Sequence, residues 1–407
     1  MSRKAMLLVA GCVVSLAGWA CDASSESGGS GAGAPQAGAG GMMSASGVGG
    51  GGGGSAGAGT GGAAGLGGAG GVGGAAGMTV AGTGGTMANM MAGTGAGTGA
   101  GVGGVAGTMP IDPGDFDYAG ENVMLTETLT IPAGETISVG PGTTFTASAG
   151  VKVQINGTLV VAGSADSKVK FLGAGTPRSW EGIVIASGGV LQMTHAEIGG
   201  ATYGIYAEAG SAYTVDYSEL GTSFKVAVLY ADGSFDHTKF HASGDDTFSP
   251  VNEVSVDDVN GSLTIIDASP TVSNSSFDNS SPLVDMIRIG GDASPVFDHI
   301  SVKGAHCGFH TNGGVNTVPV IRNSVLEGMS YGIMAYASKA TFENNNFLGN
   351  SADVGFCFDA TAENAPTMTG NFYSTGNVSY DAACFEIGIP DPSPAAAAHA
   401  DAGPIGL

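Results

Sequence analysis

Short strings of alternating apolar and polar residues recur along residues 189–390. Eight six-residue strings each begin and end with an apolar residue, and seven of them carry His, Tyr or Asn in third place, the last being a degraded copy. The strings begin at Met193, Val215, Phe235, Val272, Phe297, Ile321, Phe342 and Met368. Successive starts are 20 to 26 residues apart, except for one interval of 37. A repeat of this length is typical of a stacked solenoid.

The residues within each coil indicate strands rather than helices. Ile205 and Ala207 alternate with Tyr206 and Glu208, a period of two that is typical of a strand. Val, Ile, Thr, Phe and Tyr fill such strings, while Gly, Asn, Asp and Ser separate them. The pattern predicts an all-β fold, a parallel β-solenoid of about ten to twelve coils in one domain.

The polar residues in third place predict a ladder that runs along the stack. Equivalent residues of neighbouring coils lie about 4.8 Å apart, so amides and rings at a turn can contact from coil to coil. We interpret this column as structural rather than functional. Its members are His195, His237, Asn274, His299, Asn323 and Asn344, with Tyr217 in the same place.

Residues 120–390 resemble a known family, most specifically in their first part. Leu129–Gly134 forms an apolar strand and a Pro/Gly turn, Ile155–Gly163 follows, and Trp180–Ile185 reads W-x-G-I-V-I. This order resembles the first coils of right-handed parallel β-helix proteins of the pectate-lyase-like superfamily. The resemblance implies a right-handed parallel β-helix. It does not specify a function, because that fold carries lyases, hydrolases and adhesins.

The first twenty residues are typical of a bacterial export signal, with Arg3 and Lys4 before a short apolar stretch that ends at Ala20. Cys21 follows at once, which resembles a lipoprotein whose cysteine is acylated. Lipidation at Cys21, lipidation at Cys12 and simple secretion remain open. We expect an exported protein at the outer membrane or cell surface, held only by a lipid anchor, or an extracellular one.

Composition divides the remainder into three parts. Residues 21–111 are rich in Gly and Ala, with no charged residue from Ser27 to Ile111, and predict a disordered tether. Residues 112–390 are assigned to the β-helix. Residues 391–407, rich in Pro, Ala and Gly, predict a disordered tail.

The charge balance limits the partners of the protein. There are 12 Lys and Arg against 35 Asp and Glu, a net charge of -23. This opposes nucleic-acid binding, which needs a basic surface. We expect a monomer whose partner is a cell-surface polysaccharide or protein.

The 37-residue interval contains an acidic insertion, and solenoid insertions often form loops on the binding face. Its carboxylates are candidate Ca²⁺ ligands, although their spacing fits no known calcium loop. They are Asp245, Asp246, Asp257 and Asp258. Cys357 and Cys384 fall on adjacent coils and form a candidate disulfide.

No other pattern predicts a catalytic or metal site. His306 and His310 are expected on one face of a strand with Cys307 on the other, so no metal site is predicted there. Alignment of the repeats places Arg288 in an inward column, as a structural residue. We expect a structural, adhesive or carbohydrate-binding role without catalytic residues or cofactor. The alternative is a polysaccharide lyase or glycoside hydrolase.

Overall fold

The computed structural model describes residues 116–175, 178–223, 225–242, 261–279, 285–311, 314–336, 338–358, 361, 363–381, 384 and 389–407. The export signal, the tether and the acidic insertion lie outside these residues. Among the described residues, no helix is both long and apolar enough to cross a membrane. The described part consists of thirty-one strands and one short 3-10 helix, Gly314–Asn316.

The strands are, in chain order, β1 (Asn122–Leu125), β2 (Leu129–Ile131), β3 (Thr136–Val139), β4 (Thr144–Ala147), β5 (Lys152–Ile155), β6 (Thr158–Ala162), β7 (Val169–Gly173), β8 (Trp180–Ile185), β9 (Val190–Thr194), β10 (Ala196–Gly199), β11 (Ala201–Ala207), β12 (Ala212–Asp216), β13 (Glu219–Ser223), β14 (Lys225–Leu229), β15 (Gly233–Asp236), β16 (Lys239–Ala242), β17 (Gly261–Ile266), β18 (Thr271–Ser273), β19 (Ser276–Asn279), β20 (Asp285–Gly290), β21 (Val296–Asp298), β22 (Ser301–Lys303), β23 (Cys307–Thr311), β24 (Val320–Arg322), β25 (Val325–Glu327), β26 (Tyr331–Tyr336), β27 (Thr341–Glu343), β28 (Asn346–Leu348), β29 (Ala352–Phe358), β30 (Thr367–Thr369) and β31 (Phe372–Tyr373).

Each strand from β1 to β28 pairs in parallel with the strand three places further along the chain, which produces three sheets. Sheet A runs from β3 to β30 with ten strands, sheet B from β1 to β31 with eleven, and sheet C from β2 to β29 with ten. After β1, each coil contributes one strand to sheets C, A and B in turn. The predicted parallel β-helix is confirmed, with the right-handed sense that parallel crossovers adopt.

The repeat identified in the sequence is the register of sheet A. Met193 pairs with Val215, Val215 with Phe235, and the series continues to Met368 without a slip. These side chains point into the core, where they are at most 3 % exposed. The core is extended by ring stacks such as Phe240 on Phe277, with centroids 4.4 Å apart.

The W-x-G-I motif forms an irregular start to β8. The Trp180 indole N–H donates to the Gly199 carbonyl at 3.0 Å, which satisfies it inside the core. The register against β11 shifts between Tyr203 and Ile205. Gly182 lies at this shift with φ +111, and a Cβ there would meet the Tyr203 carbonyl oxygen at 1.6 Å. Only glycine allows this approach.

The residues of the predicted ladder form the turn between sheets A and B. All of them, with Tyr217, have φ between 46° and 55°, the left-handed region. Asn274 and Asn323 donate through Nδ2 to Asp236 and Asp298 of the preceding coil, both at 2.9 Å. Asn and His enter this region more readily than most side chains, which explains their recurrence.

A second ladder, which the sequence reasoning missed, lies one residue further along each turn. The Ser324 backbone N–H donates to Asn345 Oδ1, and that of Asn345 donates to Asn371 Oδ1, each at 2.9 Å. In earlier coils the hydroxyl oxygens of Ser218 and Ser275 are the acceptors of the equivalent backbone N–H groups. All five side chains are at most 2 % exposed. The buried hydrogen bonds between coils therefore depend on these small polar residues.

Residues 391–407 follow a defined path, in contrast to the disorder that their composition predicts. Asp391 accepts hydrogen bonds from the backbone N–H groups of Gly370 at 3.1 Å and Asn371 at 2.9 Å. The His399 N–H donates to Asn346 Oδ1 at 2.8 Å, and the Gly403 N–H to the Asn323 carbonyl at 2.9 Å. The segment runs back over successive coils because their turns leave polar groups that need partners.

Candidate functional site

The outer face of sheet A carries a row of polar side chains at the ends of its strands. Thr194, Asp216, Asp236, Ser273 and Asp298 are successive partners in the register. Strand pairing places them about 4.8 Å apart along the solenoid axis. The row presents hydroxyls and carboxylates at regular intervals, and Asp216 and Asp236 form its one adjacent pair of like charges among these five. We call these two residues the acid pair.

Asp236 is held by three neighbours. Its Oδ1 accepts from Ser273 Oγ at 2.6 Å and from Asn274 Nδ2 at 2.9 Å, and its Oδ2 lies 2.7 Å from His237 Nδ1. Ser273 and Asn274 belong to the next coil, so the carboxylate bridges two coils. Asp236 is therefore the more firmly held carboxylate of the acid pair.

The two carboxyls of the acid pair differ in acidity. Burial raises the pKa of Asp216, and the neighbouring charge of Asp236 raises it further, while His237 lowers it. Burial also acts to raise the pKa of Asp236, but hydrogen bonds from Ser273, Asn274 and His237, with the charge of His237, outweigh it and lower the pKa. The acid pair therefore combines one carboxyl whose pKa is raised with one whose pKa is lowered.

Three aromatic rings stack beside the acid pair, and we call them the turn stack. The His195 and Tyr217 rings lie 5.1 Å apart at 8°, and the Tyr217 and His237 rings 4.4 Å apart at 18°. Their left-handed backbone aims them outward, and Tyr217 remains 47 % exposed. The phenol edge and hydroxyl of Tyr217 are thus presented to solvent next to Asp216.

A different cluster lies at the beginning of two strands of sheet C. Asp285 begins β20 and Cys307 begins β23, the next strand in the sheet. His306 Nδ1 lies 3.3 Å from both Asp285 Oδ1 and Cys307 Sγ. His310 Nδ1 lies 2.5 Å from Asp285 Oδ2. Asp285, Cys307 and His310 are buried, whereas the His306 side chain is 30 % exposed.

The pKa shifts in this cluster disfavour nucleophilic catalysis by Cys307. Burial would raise the pKa of Asp285, but hydrogen bonds from His306 and His310 and the charge of His310 hold it well below its usual range. Burial, followed by the nearby Asp285 charge, raises the pKa of the Cys307 thiol far above its usual range. A protonated thiol is a poor nucleophile. The same His306 nitrogen also faces Cys307 and Asp285, whereas a catalytic relay uses one ring nitrogen for each partner.

Two sequence predictions about sheet C are wrong. His306 and Cys307 were expected on opposite faces, yet Cys307 Sγ lies 3.3 Å from the His306 ring. Arg288 was expected in an inward column, but it pairs with Thr264 and His310, while Ile287 occupies the core column. The alignment of the repeats is one residue out of register at β20, and such a slip exchanges the two faces of a strand.

The remaining candidates lie partly or wholly outside the described residues. Cys384 is buried and disulfide-bonded, but the side chain of Cys357 is outside the described part, so the pairing of these two cysteines stays a prediction. The proposed Ca²⁺ ligands are outside it, as is the proposed lipidation site: Asp245, Asp246, Asp257, Asp258 and Cys21.

Comparisons with protein families, with curated proteins and with solved structures find no match to this chain. The fold is therefore established by its own strand pairing, and the function has to be argued from the outer face of sheet A and from the cluster in sheet C.

Proposed function

We propose that this chain is an exported surface protein whose β-helix binds a neutral polysaccharide along the outer face of sheet A without cleaving it. The observation that carries the proposal is the acid pair beside the exposed Tyr217. Carboxylates accept hydrogen bonds from sugar hydroxyls, and the hydroxyl of Tyr217 can both donate to and accept from them. A net charge of -23 disfavours an anionic polysaccharide.

The repeat of the fold supports an extended ligand. Thr194, Asp216, Asp236 and Ser273 recur once per coil, at about 4.8 Å, which is of the order of the length of one sugar unit in an extended chain. A polymer lying along the solenoid axis would meet an equivalent polar group at each unit. Asp236 is fixed by its three neighbours and would serve as a rigid acceptor.

The test is a binding measurement on the full chain with neutral polysaccharides, by glycan array followed by calorimetry. Asp216→Asn and Tyr217→Asn are expected to weaken binding at least tenfold. Asn is the appropriate replacement for Tyr217, because Asn274, Asn323 and Asn344 adopt the same left-handed turn. Asp278→Asn, an exposed carboxylate on sheet B, is the matched control and should bind as wild type. Equal affinity in all three variants would reject the surface.

A second candidate function is glycoside hydrolysis by the acid pair. It is favoured by the opposite pKa shifts of Asp216 and Asp236, because glycosidases use one carboxylic acid and one carboxylate. Product analysis of the same polysaccharides separates the two functions. Shortened chains that disappear with Asp216→Asn would establish the hydrolase, while intact chains would support binding alone.

Export and anchoring are part of the proposal. They are supported by Arg3 and Lys4, the apolar stretch after them, and Cys21 at the expected processing site. Intact-mass analysis of the protein from membranes of a Gram-negative host tests this. A mass of residues 21–407 plus acyl chains is expected, and an unmodified mass recovered from the medium would reject the anchor.

A further inference from the structure

We propose that Asp285, His306 and Cys307 form a binding site for a divalent transition metal, with Zn²⁺ as the expected ion. The site is independent of the polysaccharide surface, since it lies on sheet C rather than sheet A. One carboxylate oxygen, one imidazole nitrogen and one sulfur all lie within 4.8 Å of one another. This is a mixed O, N and S ligand set that Zn²⁺ accepts and that Ca²⁺ and Mg²⁺ do not prefer.

The distances fit a tetrahedral ion. Zn²⁺ bonds of about 2.0 Å to oxygen and nitrogen and about 2.3 Å to sulfur place adjacent ligand atoms roughly 3.3–3.5 Å apart. His306 Nδ1 lies 3.3 Å from Asp285 Oδ1 and 3.3 Å from Cys307 Sγ. The side chains would therefore need little movement to hold the ion.

The fold supplies the ligands from rigid elements. Asp285 and Cys307 each begin a strand of sheet C, on adjacent coils, and His306 precedes Cys307 directly. Every residue of β20 and β23 is buried, so both strands are held on both faces. Ligands placed on packed strands keep their positions better than ligands on loops.

The charges of the ion and of its protein ligands would balance within the buried site. Asp285 is 6 % exposed and Cys307 is fully buried. A bound metal displaces the thiol proton to solvent, so that one carboxylate and one thiolate neutralise the two positive charges of the ion. A neutral complex avoids the cost of an unpaired buried charge.

His310 is a positioning residue for this site. Its Nδ1 lies 2.5 Å from Asp285 Oδ2, which leaves Oδ1 directed towards His306 and Cys307. A hydrogen bond to the second carboxylate oxygen orients a metal-bound carboxylate. The three protein ligands leave one tetrahedral position for water, and the partly exposed His306 provides the route by which it enters.

The test uses the full chain, stripped of metal with a chelator and titrated with Co²⁺ and with Zn²⁺. One metal ion per chain is expected, together with the near-ultraviolet sulfur-to-cobalt absorption that reports a thiolate ligand. Cys307→Ser should abolish that absorption, and Asp285→Asn should weaken binding at least tenfold. His310→Gln should keep the absorption but weaken affinity by about 10- to 100-fold. His241→Asn, an exposed histidine on β16, is the matched control.

A second measurement needs no variant and stays valid if a substitution prevents folding. Because Cys307 is buried, its alkylation is measured in moderate urea, where local opening exposes the thiol. Zn²⁺ should slow this alkylation, with the modified cysteine located by peptide mapping. Absence of the thiolate absorption, unchanged metal binding in Cys307→Ser, or alkylation of Cys307 at the same rate with and without Zn²⁺ would each show that the cluster is only hydrogen-bonded.

Discussion

Asn371 accepts two hydrogen bonds from Asn345, which lies one coil earlier in the solenoid. Its Oδ1 receives the backbone N–H of Asn345 at 2.9 Å and the side-chain Nδ2 at 3.1 Å. Asn371 Nδ2 in turn donates to the Phe342 carbonyl at 3.0 Å. Both asparagines are fully buried. The contact therefore ties the last two coils together where water cannot replace a lost partner.

Asn371→Ala is expected to lower the free energy of unfolding by about 2–6 kcal/mol, because two buried donors of Asn345 lose their acceptor at about 1–3 kcal/mol each. Urea denaturation measures the change. Asn316→Ala is the control, since Asn316 is exposed and its Nδ2 donates to Asp292 at 3.0 Å. The control should change stability by less than about 0.5 kcal/mol. Equal effects would contradict the role of burial.

Gly182→Ala is expected to lower stability by more than about 3 kcal/mol, in the upper range of single substitutions. The reason is steric, because the new Cβ would collide with the Tyr203 carbonyl and the backbone could not retain φ +111. Thermal unfolding followed by circular dichroism measures the loss. Gly221→Ala is the control, since a Cβ there meets no atom closer than 3.5 Å. Little loss in Gly182→Ala would mean that the start of β8 is not fixed as described.

Asp298→Asn is expected to destabilise the protein at neutral pH and to have little effect in acid. Burial acts to raise the pKa of Asp298, but hydrogen bonds from Asn323 and Arg322 and the charges of Arg322 and His299 outweigh it and lower the pKa. A lowered pKa contributes stability above the unfolded value of about 3.9, and this stability is lost as the pH falls through the folded value.

The measurement is a series of urea denaturations between pH 7 and pH 3. The wild-type and Asp298→Asn curves should converge as the pH falls below about 4. Asp278→Asn, at an exposed position of sheet B, should follow the wild-type curve throughout. A constant difference between wild type and Asp298→Asn at all pH values would contradict the assigned ionisation.

Peptide mapping without reduction is expected to give one linked pair that joins Cys357 to Cys384. Cys384 is disulfide-bonded and Cys307 is free, and Cys357 lies on the coil before Cys384. A loop of this length stabilises the folded protein by about 3–4 kcal/mol, so Cys384→Ser should lower the midpoint of unfolding. A linked peptide that contains Cys12 or Cys21 instead of Cys357 would contradict this pairing.

The fold was predictable because the repeat in the sequence follows the strand register of sheet A. The apolar first residues of the strings, such as Phe297 and Phe342, coincide with the register of the strands. Turn residues were also recognisable, since few side chains other than Asn and His accept a left-handed backbone. The buried ladder was missed because Ser, Thr and Asn at those positions look like ordinary turn residues.

Sheet C was less predictable, so some of its residues were assigned to the wrong face. The register slip between Tyr203 and Ile205 is a backbone irregularity that alternation cannot reveal. Arg288 could not be assigned to a face by alternation, because every residue of β20 is buried. His306 was misplaced because it precedes β23 and does not follow the alternation of the strand. The acid pair was missed for another reason. Asp216 and Asp236 hold the same place in adjacent repeats, but the repeat alone does not reveal the burial of Asp216 or the hydrogen bonds of Asp236.

Asp391 covers the end of the buried ladder at the last coil. Each coil of the buried ladder offers backbone N–H groups to the next coil, and at the last coil this carboxylate receives those of Gly370 and Asn371. A carboxylate accepts hydrogen bonds but offers none onward. A second molecule that tried to add its own strands here would have to displace it first. The C-terminal segment therefore acts against end-to-end polymerisation, to which an open stack of parallel strands is otherwise prone.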